Sequence, residues 1–195
     1  TSSLYEPNKE LLEKFHQLNE LTTVVNERNV QTYRLDDIAE IEHTDFLKMD
    51  VQGSELNILQ NAINVLSSSV VVQVEVEFVE LYKGQPLFAD VDSFLRSQGF
   101  KFHCFDKGIA GRPFKPLIIN DDPLQKLNQE LWADAYYVKD WMKLELLSSR
   151  QLISYAIITY SLLGSIDLTL LIINQIDKNN NSNFSKRYMD LLNPK

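Results

Sequence analysis

The segment from Asp45 to Ala62 constrains this chain more than any other, because it reads as a strand, a polar turn and a helix in immediate succession. Asp45 to Asp50 carries the extended, apolar character of a strand and leaves Asp50 at its carboxyl tip. Open α/β sheets bind their ligands at such tips, so Asp50 is a candidate site residue by position alone. Gly53 lets the backbone turn sharply behind that carboxylate. Leu56, Leu59, Ile63 and Leu66 then recur near helical spacing and predict a helix packed back on the sheet.

The flanking segments extend the pattern. Val70 to Val79 is predicted as a strand, followed by a loop around Lys83-Gly84-Gln85-Pro86 and a helix from about Asp90 to Ser97 that Gly99 terminates. Phe100 to Phe105 and Leu131 to Val138 read as further strands, with an irregular Gly- and Pro-containing loop from Asp106 to Pro123 between them. Before the central unit, Asn8 to Leu18 predicts a capped helix and Val30 to Leu35 a short peripheral strand. Beyond Trp141 the pattern is helical apart from the polar run Lys178 to Asn183. Strands alternating with helices predict an α/β fold built on a mostly parallel sheet, with right-handed crossovers.

The totals exclude several classes. With 195 residues one core is expected, and 27 acidic against 19 basic residues give a net charge of −8, which repels nucleic-acid phosphates. Cys104 is the single cysteine, so no intrachain disulfide forms and a reducing, cytoplasmic setting is the simpler expectation. His16, His43 and His103 match no metal-ligand spacing, and no metal site is predicted. The opening Thr1-Ser2-Ser3-Leu4 does not resemble a secretion signal and is expected to lie within a longer protein. Leu152 to Ile176 is the one membrane-like stretch. Gly164, Ser165 and Asp167 interrupt it, and two buried helices broken near Gly164 are expected in place of a span, with no stable membrane insertion.

The second strand carries a conflict. A central parallel strand should be apolar on both faces, yet Gln73, Glu75 and Glu77 share one face opposite Val72, Val74, Val76 and Phe78. Such groups need partners or water, and a broken local rule often marks a functional site. The alternatives are an edge strand with one wet face, or a structural pair of Glu75 with Lys48. If the two strands are neighbours, Asp50 and Glu77 face one cleft, where two carboxylates can accept a hydroxyl proton, hold a polyol or hold a hard cation. Gln52 and Glu55 follow on the turn, and Glu55 equally suits a carboxylate at a helix N-terminus. There is no Gly-x-Gly-x-x-Gly, phosphate loop, nucleophile elbow or His-Glu-x-x-His, so hydrolase and kinase readings lack support.

These blocks, taken in order, resemble the FkbM family of S-adenosylmethionine-dependent methyltransferases. They are Ser2 to Asn8, Leu35-Asp36-Asp37-Ile38, Asp45 to Ala62, Glu75 to Tyr82 with Gly84 to Asp90, and Leu131 to Ala135. The resemblance implies a Rossmann-like methyltransferase sheet truncated at its front, with residues 1–141 as the C-terminal part of that domain and 142–195 as a helical extension. It implies methyl transfer from S-adenosylmethionine, commonly to a hydroxyl of a sugar or secondary metabolite, so that the partner is a small-molecule or glycan acceptor. On this reading Asp50 and Glu77 carry the acidic duties, Asp50 also faces the cofactor, and Gln52, Glu55 and Glu75 support the substrate. Ser3, Glu6 and Asn8 belong to a family loop near the cleft and are expected to bind the substrate as well. The glycine-rich turn that grips the cofactor is not found in the sequence, so the rival expectation is an inactive binding module with a polyol-recognising acidic cleft.

Overall fold

A computed structural model describes residues 2–193. Short helices α1 (Lys9–Leu12) and α2 (Leu18–Leu21) open the chain, followed by a 3-10 turn at Leu35–Asp37. Strand β1 (Phe46–Met49), helices α3 (Glu55–Gln60) and α4 (Ile63–Ser68), and strand β2 (Val71–Glu77) form the central unit. Helix α5 (Phe88–Ser97) leads to β3 (Phe100–Ala110) and β4 (Trp132–Lys139), and α6 (Ser149–Ser161), α7 (Ile166–Asn180) and α8 (Phe184–Leu192) complete the described chain.

The strands form one mixed sheet in the order β1-β2-β4-β3. Only β1 and β2 pair in parallel, while β4 pairs antiparallel with both β2 and β3. This corrects the expectation of a mostly parallel sheet. The three strands β1, β2 and β3 do run the same way, but β4 enters between β2 and β3 and makes two of the three pairings antiparallel. Burial explains the order. β4 is buried along most of its length, with Ala133, Ala135 and Tyr137 in one core and Tyr136 and Val138 in another. β3 is only half-buried and takes the edge.

One face of the sheet packs against α3, α4 and α5 through Val72, Val74, Val76, Leu59, Leu66, Val91 and Leu95. Each such side chain contributes about 1.5–3 kcal/mol by leaving water. The opposite face packs on α6 and α7 through Val71, Val138, Tyr155 and Ile172. That cover lies at the Val71 end of β2. The other end of the same face carries Gln73, Glu75 and Glu77, and Glu75 stands opposite Asp134 of β4.

Other local expectations differ from the structure for identifiable reasons. Val30 to Leu35 forms no strand, because it meets no sheet edge and its Val30 and Tyr33 stay exposed. The Asn8 to Leu18 helix stops at Leu12 and resumes only at Leu18, after Gln17 with a φ of 61°, although Leu12, Phe15 and Leu18 still share a small core with Leu131. The helix after Asp50 is likewise two short pieces, and Ile63 stays exposed. β3 runs to Ala110 into the expected loop, because Ala110 pairs with Trp132. The polar run after Lys178 begins inside α7, which reaches Asn180. No helix of the described residues is long and apolar enough to cross a membrane, and α6 and α7 are separate helices parted near Gly164.

Candidate active site

The carboxyl ends of β1 and β2 lie side by side, since Met49 pairs with Val74 and the next step of the parallel register sets Asp50 beside Glu75. The chain then turns through Gln52 (φ 56°) and Gly53 (φ 102°). Both adopt the left-handed region, which glycine tolerates and glutamine rarely does. Strained backbone of this kind persists only where its surroundings hold it.

Glu55 supplies one restraint. Its Oε1 accepts from Val51 N at 2.8 Å and its Oε2 from Gly53 N at 2.9 Å, so both oxygens serve the turn that precedes their own helix. Glu55 is buried, and burial pushes its carboxyl above the usual range against those backbone bonds. Its role in this geometry is to fix the turn.

Gln52 supplies the other restraint and links the acids. Its Nε2 donates at 2.7 Å to Asp50 Oδ1 and at 2.7 Å to Glu75 Oε2, while its Oε1 accepts from Tyr82 Oη at 3.1 Å. Burial, then the charges of Asp50 and Glu77, push Glu75 up to about 9. Burial, then Glu55 and Asp50, push Glu77 up to about 8. Glu77 is only 2% exposed. Both shifts favour the protonated form at neutral pH for half-buried Glu75 and buried Glu77, while Asp50 stands exposed at the rim. No ion pair joins Lys48 to Glu75 among the described residues.

The opening segment divides between two tasks. Ser3 Oγ donates to Gln52 O at 2.6 Å and so joins the turn. Glu6 pairs with Lys83 at 2.8 Å on the surface, and Asn8 caps α1 through Leu11 N and donates to Glu80 O at 2.9 Å. These two side chains tie the segment to the loop after β2. Sequence reasoning assigned no site role to Gln85. Gln85 is buried, accepts from Tyr82 N at 2.5 Å and favours the anion of Glu77. The signal was a polar side chain in a tight loop directly after a strand that already carried buried acids.

No group of three or more His, Cys, Asp or Glu side chains among the described residues is arranged to hold a metal ion. A family model described as the methyltransferase FkbM domain matches residues 2–102. The chain belongs to the FkbM methyltransferase family. The match takes in every carboxylate of the FkbM cluster named above except Asp134, and β4 with α6, α7 and α8 lies beyond it. No curated protein and no solved structure matches the chain. A concavity of about 560 Å³ between Trp141, Leu171, Asn174 and Asn183 lies among the C-terminal helices and not at the acids of β1 and β2. The raised carboxyl groups gather at the strand tips and not in that hollow.

Proposed function

We propose that this chain is the acceptor-side part of a Rossmann-like methyltransferase, residues 1–141, carrying a helical extension over 142–195. It uses S-adenosylmethionine to methylate a hydroxyl oxygen of a sugar or secondary metabolite. The observation that carries this reading is Glu77, buried at the end of β2 with its carboxyl raised to about 8 beside Asp50 and Glu75. A group poised near the working pH is suited to take a hydroxyl proton as the oxygen attacks.

The donor set suits the cofactor electrostatically, because an exposed carboxylate at a parallel strand tip favours a cationic ligand, and Asp50 is that carboxylate. When bound, S-adenosylmethionine supplies a methyl group on a sulfonium. Glu77 would accept the acceptor's proton at its carboxylate, and Glu75 would hold the hydroxyl in line. Gln52 fixes the spacing of Asp50 and Glu75, and Glu55 holds the turn that presents them. The net charge of −8 supports a small-molecule or glycan partner over nucleic acid, and lone Cys104 suits a reducing compartment such as the cytoplasm.

Calorimetric titration of the chain with S-adenosylmethionine, followed by methyl transfer to a panel of hydroxylated acceptors, tests the reading. Cofactor heat is expected, together with turnover that rises as the pH approaches about 8 and falls by about 100-fold in Glu77→Gln without loss of folding. Absence of cofactor heat, or Glu77→Gln turnover equal to the parent, overturns it.

A further inference from the structure

The geometry points to Arg112, stacked on Trp132, as the anchor for an oxyanion, carboxylate or phosphate, carried by the methyl acceptor. This rests on the methyltransferase reading of the acidic site and names what the acceptor must bring to it.

Trp132 is the direct cross-strand partner of Glu77, so the two side chains stand on one face of the sheet. Their Cβ atoms are therefore about 5 Å apart. The Arg112 guanidinium lies 5.1 Å from the centre of the Trp132 ring. The register and the stack together set the guanidinium at the same end of the sheet as Glu77, on the strand pair that carries it.

Arg112 is also held in place. Ala110 pairs with Trp132, and Leu131 N donates to Ala110 O at 2.9 Å. Gly111 packs so tightly on the Gln129 carbonyl oxygen that a methyl group there would collide with it, and Pro113 behind is buried. A stem fixed at its base wastes little ordering entropy on binding.

The guanidinium is nonetheless poorly satisfied. It has five N–H donors. Its hydrogen bond goes from Nη1 to the neighbouring Gly111 O at 2.8 Å, and Nε is buried without a partner. It belongs to no ion pair among the described residues, in a chain where acids outnumber bases. Burial lowers its pKa, and only Asp122 opposes that at a distance. A fixed, half-buried fork of donors beside an aromatic face is the arrangement that recognises carboxylate or phosphate in bidentate fashion.

The test follows tryptophan fluorescence of the full chain titrated with glucose, glucuronate and glucose 6-phosphate at constant ionic strength, with Trp141→Phe used to assign the signal to Trp132. At least one anionic sugar is expected to bind about tenfold tighter than glucose, and which one does so separates carboxylate from phosphate. Arg112→Gln should erase that preference and Arg112→Lys should keep only part of it, each with a melting curve to show it folds. No anion response at millimolar concentrations, or a preference that persists in Arg112→Gln, overturns the proposal. If methyl transfer never appears while the preference still tracks Arg112, the methyltransferase reading fails and the anchor stands. Cofactor heat without any anion preference gives the reverse.

Discussion

Asp50 and Glu75 share one hydrogen-bond donor: Gln52 Nε2 lies 2.7 Å from a carboxyl oxygen of each. Two acids drawn to one amide cannot both be fully charged at low cost, and the raised Glu75 resolves the conflict by keeping its proton. Gln52 in turn occupies a left-handed backbone position, so a side chain is retained there against the local preference for glycine. The clamp is the reason.

Gln52→Gly separates backbone from side chain. The glycine removes backbone strain of about 1 kcal/mol but also removes both acid contacts and the Tyr82 bond. Stability should change by less than about 1 kcal/mol in denaturant melts, while methyl-transfer turnover falls at least tenfold. Turnover at the parental level would show that the clamp does not organise the site.

Stability should fall with pH across the acidic-to-neutral window. Glu75 and Glu77 titrate near 9 and 8 when folded against an ordinary value of 4.5, so the folded chain keeps protons that the unfolded chain releases. Their contribution is complete below about pH 4.5 and is lost as pH rises towards 8 and 9. Buried Lys139, lowered to about 8 from 10.5, acts oppositely but only above pH 8. Melting temperatures measured from pH 5 to 8 should therefore decline, and Glu75→Gln should flatten the decline and melt higher than the parent by about 1 kcal/mol at pH 8. A parent curve that rises over this range contradicts the assignment.

The turn itself depends on Glu55. Replacing it by Gln leaves one acceptor oxygen where two backbone N–H groups, Val51 and Gly53, now find one each. The loss should be about 1–3 kcal/mol, that of a buried donor left unsatisfied. Gly53→Ala should cost a similar amount, since φ is 102° and a new methyl would meet Gln85, Tyr5 and Tyr82 at 3.4–3.6 Å. Chemical denaturation of both variants checks this, and a loss confined to activity would place Glu55 on the substrate instead.

The sequence made the acid-bearing unit legible because its signals are local. A strand tip, a glycine turn and a helical repeat lie between Asp45 and Leu66, and βαβ spacing brings β1 beside β2. The break between α6 and α7 was legible at Gly164 for the same reason. What stayed hidden depends on partners far along the chain. The insertion of β4 between β2 and β3 is decided by which strand can be buried on both faces, and Val30 to Leu35 alternates like a strand without an edge to join. The backward reach of Glu55 follows from two left-handed residues that no periodicity reveals. Arg112 became visible only once the register set Trp132 opposite Glu77.

One carboxylate caps the last helix. Asp177, near the end of α7, accepts from Ser182 Oγ at 2.6 Å, Phe184 N at 2.8 Å and Ser185 N at 2.9 Å, and so satisfies the first donors of α8. Burial pushes its carboxyl up, but these bonds outweigh that and hold it well below the ordinary range. A carboxylate with a lowered folded pKa stabilises above its unfolded value of 3.8 and loses that contribution as the pH falls further. Hydrogen exchange should show α8 losing protection in Asp177→Ala at neutral pH, and in the parent as acid is added below about pH 3.8, while β2 stays protected in both. Because α8 contributes no buried residue, methyl transfer should be unchanged in the variant. Joint loss of β2 protection would instead make α8 part of the same cooperative unit as the sheet.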